Sequence, residues 1–140
     1  MVSEKTGRLA THALERSPWR SARWLVIAPH ADDETLGAGA LIHQASEAGR
    51  LAGVVILTDG AGSHEHPDMA SRARLVRTRR LEAGRAVRRL AGDAAAPPVF
   101  LDWPDAQPAS PGSMVFEATA RRLNAEGAVV VLADLASSKA

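Results

Sequence analysis

The sequence contains 140 residues, of which 46% are hydrophobic and 24% charged, a composition typical of a globular domain. Cysteine is absent, which excludes a disulfide framework, an iron–sulfur cluster and a thiol nucleophile. Any protein-bound metal must therefore be held by His, Asp or Glu. The formal net charge of +1 gives no overall reason to expect nucleic acid as a partner.

The first 22 residues are predicted to form a lead-in to a single α/β domain over residues 23–140. They mix acidic and basic residues and contain no apolar segment of the kind found in a signal peptide. No apolar run in the sequence approaches the roughly 20 residues that cross a membrane. We therefore expect a cytoplasmic protein without a membrane span.

Four short apolar segments alternate with segments of helical periodicity along the chain. The first, residues 24–28, is entirely apolar and is ended by Pro29, which is the pattern of a strand buried on both faces. The next segment has apolar residues at helical spacing up to Gly49, a residue suited to end a helix. The predicted strands are residues 24–28, 53–58, 97–101 and 128–133, and the predicted helices are residues 35–48, 69–90 and 115–123.

This alternation predicts a three-layer α/β sandwich with a mostly parallel, Rossmann-like sheet, in which ligands bind at the carboxyl ends of the strands. Acidic residues follow every predicted strand: Asp32, Asp33 and Glu34 after the first, Asp59 after the second, Asp102 and Asp105 after the third, and Asp134 after the fourth. Converging carboxylates repel one another unless a cation neutralises them, which favours a metal site. An ordinary role in loops and helix caps is the alternative, and we favour it for Asp102, Asp105 and Asp134.

The segment after the first strand, His30-Ala31-Asp32-Asp33-Glu34, combines an imidazole with three carboxylates. A nitrogen from His30 and an oxygen from Asp33 belong to the ligand types of a catalytic zinc. Asp32 would then be available to take a proton from water as a general base. Alternatively, Asp32 or Asp33 caps the following helix and His30 is an ordinary loop residue; the spacing alone leaves both interpretations open.

The same segment resembles the His-Pro-Asp-Asp-Glu motif of the zinc-dependent N-acetylglucosaminide deacetylases, the PIG-L or LmbE-like family. The resemblance continues in order along the chain from about Trp24 to Leu132. The further similar segments are Leu57-Thr58-Asp59-Gly60 with Ser63-His64, Arg79 and Glu82 with Ala86 and Leu90, and Phe100-Leu101-Asp102-Trp103-Pro104-Asp105.

The resemblance implies a role for five residues. His30 and Asp33 would bind zinc, Asp32 would be the general base, and Arg79 and Asp59 would lie near the substrate, Asp59 as a residue that shapes the site. The implied reaction is hydrolysis of an N-acetylated amino sugar conjugate, typically N-acetylglucosaminyl, to acetate and a free amine. Neither the aglycone of this small-molecule substrate nor the oligomeric state is indicated.

The chain departs from the family pattern in two places. Ala31 replaces the proline of the motif, which removes no ligand. The family's third zinc ligand comes from a histidine-containing motif shortly after the fourth strand, whereas no histidine follows His66 here. His64, His66 and Asp134 are candidate substitutes. Because a catalytic zinc normally has three protein ligands, we expect a chain that is incomplete at its C-terminus, and a metal-poor, inactive fragment is the second hypothesis.

The segment between Ser71 and Leu90 contains eight arginines and a single acid, Glu82. A solvated helix face is the simpler interpretation. A non-catalytic module that binds an anionic partner, nucleic acid included, is the third hypothesis. The cluster of His30 with its neighbouring aspartates disfavours it, because a binding module has no use for such a cluster.

Overall fold

The computed structural model describes residue 16 and residues 19–63, 68–105, 107, 110–125 and 129–132. Its strands are β1 (Trp24–Ala28), β2 (Leu51–Thr58), β3 (Val99–Trp103) and β4 (Val129–Leu132). Its helices are α1 (Asp33–Glu47), α2 (Met69–Ala91) and α3 (Met114–Ala125), and a single 3₁₀ turn covers Ala61–Ser63. Most of the predicted lead-in lies outside the described residues.

The four strands form one parallel sheet in the order β3-β2-β1-β4. Helix α1 connects β1 to β2, and α2 connects β2 to β3, so both connections run in the same direction across the sheet. Helix α3 connects β3 to β4, which lies on the other side of β1, so this connection runs in the opposite direction. Right-handed crossovers therefore place α1 and α2 on one face of the sheet and α3 on the other. The predicted three-layer α/β fold is confirmed, and its direction reverses at β1, which is the point where ligands bind in such sheets.

The core lies on both faces of β1, whose five residues are all buried. On the face covered by α1 and α2, Val26 packs with Ile42 of α1 and Val87 of α2. On the opposite face Leu25 and Ile27 pack together with Val55 of β2. Each fully buried aliphatic side chain of this size contributes about 1.5–3 kcal/mol by leaving water. Hence the strand that leads into the candidate site is buried along its whole length.

Several element boundaries differ from the sequence prediction by one or two residues. Strand β2 begins at Leu51 because Leu51 pairs with Trp24, ahead of a register shift. Strand β3 continues through Trp103 because Trp103 pairs with Thr58, so sheet pairing extends the strand beyond its apolar run. Helix α1 begins at Asp33 because the Asp32 carbonyl already accepts N–H groups from the first helical turn.

Among the described residues, no helix is both long and apolar enough to cross a membrane. Helix α2 has the length, at 23 residues, but it carries the arginine-rich segment.

We expect Gly84→Ala to stabilise the protein by about 0.5–1 kcal/mol, since alanine is favoured over glycine inside a helix. A Cβ added at Gly84 in α2 would meet nothing within 4 Å, so no contact opposes the gain. Urea unfolding followed by circular dichroism measures the difference.

The matched control is Gly92→Ala at the end of the same helix. Gly92 has φ 91° and ψ 165°, a backbone conformation that is essentially restricted to glycine, and its N–H closes the helix on the Arg88 carbonyl. Alanine there is expected to cost about 1–3 kcal/mol. A destabilising Gly84→Ala would contradict the open space described around Gly84, and a neutral Gly92→Ala would contradict the described end of α2.

Candidate active site

The loop after β1 is fastened to the end of β2 before it reaches the acidic segment. The carbonyl of Pro29 accepts hydrogen bonds from the backbone N–H of Thr58 at 3.0 Å and from its hydroxyl at 2.9 Å. Since the strands are parallel, this bond places the next residue, His30, at the carboxyl edge of the sheet. The loops after β2 and β3 open at the same edge.

His30 lies between two carboxylates. Its Nδ1 is 3.3 Å from Oδ2 of Asp33, and its Nε2 is 2.9 Å from Oδ1 of Asp105. The His30 side chain is 45% exposed, whereas those of Asp33 and Asp105 are 9% and 11% exposed. Burial alone would lower the pKa of His30, but its hydrogen bonds and charge interactions with Asp105 and Asp33 outweigh burial and raise it.

Nδ1 of His30 and Oδ2 of Asp33 are as far apart as two ligand atoms bound to the same zinc ion would be. Two ligands that each lie about 2.0–2.1 Å from a tetrahedral zinc are about 3.3 Å apart, and Nδ1 of His30 lies 3.3 Å from Oδ2 of Asp33. One ion can bind only one nitrogen of the ring, so Asp105, on Nε2, would hold the imidazole from outside the coordination shell. Metal-binding histidines commonly donate their second N–H to such a carboxylate.

The described part of the chain contains no group of three or more His, Asp or Glu side chains that converge on one metal position. The observed donors therefore fit two of the three protein ligands that a catalytic zinc normally has. The candidate substitutes for the third ligand, His64, His66 and Asp134, lie outside the described residues.

Asp32 precedes α1 and is exposed. Its side chain makes no capping hydrogen bond, and its backbone has φ 113° and ψ −30°. The hypothesis that the Asp32 side chain caps α1 is therefore wrong. Asp33 is the first residue of the helix, and its Oδ2 accepts the backbone N–H of His30 at 3.1 Å, so Asp33 secures the loop instead.

Asp59 bridges three segments. Its Oδ2 accepts a hydrogen bond from Nη2 of Arg72 at 2.6 Å, and its Oδ1 accepts the backbone N–H groups of Ala61 at 3.0 Å and of Asp105 at 3.3 Å. Both oxygens are thus engaged by protein donors, and one of these holds the residue that pairs with His30. This position fits the expectation that Asp59 shapes the site; direct contact of Asp59 with a substrate stays a prediction.

Asp105 is the site residue that sequence reasoning treated as an ordinary loop acid. Its Oδ2 also accepts the backbone N–H of Gly62 at 3.0 Å. A Cβ at Gly62 would lie 2.9 Å from that oxygen, so only glycine lets the two loops come this close. The sequence feature that indicated a role for Asp105 in the site was its position, because Asp105 follows β3 at the same edge of the sheet where His30 follows β1.

Arg79 of α2 lines the same cavity as Asp32, a space of about 220 Å³ between the start of α1 and α2. Its side chain lies against Gly60, where a Cβ would approach the Arg79 Cδ to 3.2 Å. The Arg79 Nε is buried and has no hydrogen-bond partner among the described residues. The structure therefore brings Arg79 and Asp32 to one cavity.

The arginine-rich helix is partly neutralised by acids of the same chain. Besides Arg72, two further arginines of α2 contact carboxylates: Arg80 pairs with Asp102, and Arg88 lies 3.8 Å from the acid of the turn that follows the helix. The Arg80 guanidinium also stacks 5.1 Å from the centre of the Phe100 ring. These contacts give several of the arginines a role within the fold, which weakens the hypothesis of an anion-binding module.

Comparison with solved structures identifies a similar protein. An N,N'-diacetylchitobiose deacetylase from Pyrococcus horikoshii, complexed with its inhibitor MPG, matches with a TM-score of 0.52 and 30% sequence identity. The match covers 66% of this chain and 34% of the deacetylase chain, so it spans about a third of that protein's length. Comparison with curated proteins gives no significant match.

Residues 25–138 match the family described as PIG-L: GlcNAc-PI de-N-acetylase. The matched region contains all of β1 except its first residue, the acidic segment after it, α2 and the loop that carries Asp105. Because the match extends over most of the sequence, the chain belongs to the PIG-L (GlcNAc-PI de-N-acetylase) family.

Proposed function

We propose that the protein is a zinc-dependent hydrolase that removes the acetyl group from an N-acetylated amino sugar conjugate. The observation that carries the proposal is the His30–Asp33 donor pair, spaced as two zinc ligands would be and adjacent to the exposed carboxylate of Asp32. Family membership and the similarity to a chitobiose deacetylase support an N-acetylglucosaminyl group as the substrate.

In this proposal His30 and Asp33 hold the zinc. When bound, the zinc would polarise the amide carbonyl and allow a water molecule to attack it near neutral pH. His30 must then be neutral and present an unprotonated nitrogen, although its raised pKa favours the imidazolium while no metal competes. Asp105 accepts the N–H of the other ring nitrogen and so keeps the imidazole in one tautomer and orientation.

Asp32 is the proposed general base. As a carboxylate without a capping hydrogen bond, it is available to remove a proton from the attacking water. The same proton can pass to the nitrogen of the leaving amine as the C–N bond breaks. Acetate and a free amine are then the products, with no net change in the protonation of Asp32.

Arg79 is the proposed residue on the substrate side, and Asp59 is proposed to shape the site. Arg79 lines the cavity that it shares with Asp32, and its guanidinium is proposed to bind an oxygen of the substrate there. Asp59 acts by holding the backbone of Asp105, and through it the orientation of His30.

Elemental analysis of three proteins tests the metal and the base separately. We expect about one zinc per chain in the wild-type protein, loss of zinc in His30→Ala, and retention of zinc in Asp32→Asn. Hydrolysis of an N-acetylglucosaminide should fall by about 10²–10⁴-fold in Asp32→Asn, which is the usual contribution of a general base.

An Asp32→Asn variant with wild-type activity would refute the role of Asp32. A wild-type chain that binds no zinc would refute the metal site and favour the inactive-fragment hypothesis.

A second prediction concerns the hold of Asp105 on His30. The added methyl group in Gly62→Ala would lie within 2.9–3.1 Å of the Asp105 carboxylate and displace it. We expect zinc affinity to fall by about 10–100-fold, the usual effect of losing an outer partner of a metal-binding histidine. Competition with a chelator measures the affinity.

Gly84→Ala is the control, because it adds the same methyl group in α2 where nothing lies within 4 Å. Equal zinc affinities for the two variants would show that Asp105 does not support the metal site.

A further inference from the structure

The most deeply buried acid at the site is Glu34, which has no role in the reaction proposed above. Glu34 is 0% exposed, and its side chain is among the largest fully buried ones of the described residues. A buried carboxylate is costly unless its oxygens accept hydrogen bonds. Glu34 receives two: Oε2 accepts the backbone N–H of Asp32 at 2.9 Å, and Oε1 accepts the hydroxyl of Thr35 at 2.9 Å.

The residue that Glu34 holds has an unfavourable backbone conformation. Asp32 has φ 113°, whereas residues with a Cβ adopt positive φ rarely and at a cost in free energy. Such a conformation persists only where the surroundings impose it. No side-chain capping bond of Asp32 compensates for it.

The two peptide groups of Asp32 are fixed from opposite sides. Its carbonyl accepts the N–H groups of Thr35 at 3.0 Å and Leu36 at 2.9 Å, as the first turn of α1 requires. Its N–H is bonded to Glu34, a residue of that same turn. Because the helix fixes the carbonyl side and Glu34 fixes the amide side, φ of Asp32 has no freedom to relax.

We propose that Glu34 is a positioning residue for Asp32: its buried carboxylate binds the Asp32 N–H, enforces the positive φ, and so keeps the Asp32 side chain out of the capping position and available as the base. This inference rests on the proposed function for the role of Asp32 as base, but the contact between the two residues stands apart from it. Glu34 lines the cavity shared by Asp32 and Arg79, so the competing explanation is that Glu34 itself transfers a proton.

Glutamine and alanine at position 34 separate the two explanations. In Glu34→Gln the amide oxygen can still accept the Asp32 N–H, and the amide nitrogen can donate to the Thr35 hydroxyl. The variant therefore keeps both hydrogen bonds and loses the ability to take up a proton. Glu34→Ala loses the bonds as well.

For the zinc-loaded full chain acting on an N-acetylglucosaminide, we expect Glu34→Gln to keep kcat within about threefold of wild type. We expect Glu34→Ala to lower kcat by about 100-fold, with KM and zinc content nearly unchanged. A Glu34→Gln variant as impaired as Glu34→Ala would overturn the proposal in favour of proton transfer. A normal kcat in Glu34→Ala would overturn it outright.

A stability measurement tests the contact without using activity. Glycine adopts positive φ without steric conflict, so Asp32→Gly should raise Tm by about 2–5 °C in the wild-type background. In the Glu34→Gln background, where the bond is retained, the rise should persist. In the Glu34→Ala background, where Asp32 is free to relax, the rise should fall below about 1 °C.

Asp93→Gly is the matched control, since Asp93 is exposed and is not among the described residues with positive φ. It should leave Tm unchanged or lower it, because glycine adds freedom to the unfolded chain. A lower Tm in Asp32→Gly, or an equal rise in all three backgrounds, would refute the proposal. If the wild-type chain is inactive but the stability coupling is present, the proposed function fails while the hold of Glu34 on Asp32 is retained.

Discussion

The hydrogen bond between His30 and Asp105 joins residues 75 positions apart, and the candidate site depends on it. It connects the loop after β1 to the loop after β3, and it orients the imidazole that also faces Asp33. The bond requires Asp105 to be held in turn by Asp59 and by the backbone of Gly62. Without these hydrogen bonds, the carboxylates of Asp33, Asp59 and Asp105 would repel one another and move apart.

Two basic side chains of different chemistry, Arg72 and His30, contact the carboxylates Asp59, Asp33 and Asp105 at this edge. The Arg72 guanidinium donates a hydrogen bond of 2.6 Å to the Asp59 carboxylate. In the proposed function a metal takes the place of a proton on His30, next to Asp33 and Asp105. The Arg72–Asp59 pair supports the loop that carries Asp105, whereas His30 lies where the chemistry is proposed.

Sequence periodicity predicted the strands and helices well because they are determined by local patterns of apolar residues. The all-apolar run at 24–28 could only be a buried strand, and β1 has those bounds. The motif after it also placed His30, Asp32 and Asp33 on one short loop. The pairing of Asp105 with His30 was not predictable, since an acid in a loop has the same local pattern whether it faces solvent or a histidine from a distant loop.

The conformation of Asp32 and the burial of Glu34 escaped sequence reasoning for another reason. Both oppose the usual preferences, since aspartate seldom adopts a φ of 113° and glutamate is seldom fully buried. Functional sites are where such departures are expected, because the local cost is met by the rest of the fold.

The sheet order also has a consequence for how the chain is synthesised. Strand β1 pairs with β2 through a short connection, but its other edge pairs with β4, whose first residue, Val129, lies opposite Trp24. A ribosome must therefore translate about a hundred further residues before that edge is covered. During this time the nascent chain exposes an apolar strand edge, which is a site for aggregation and for chaperone binding. The central position that buries β1 in the folded protein thus leaves one of its edges uncovered through most of translation.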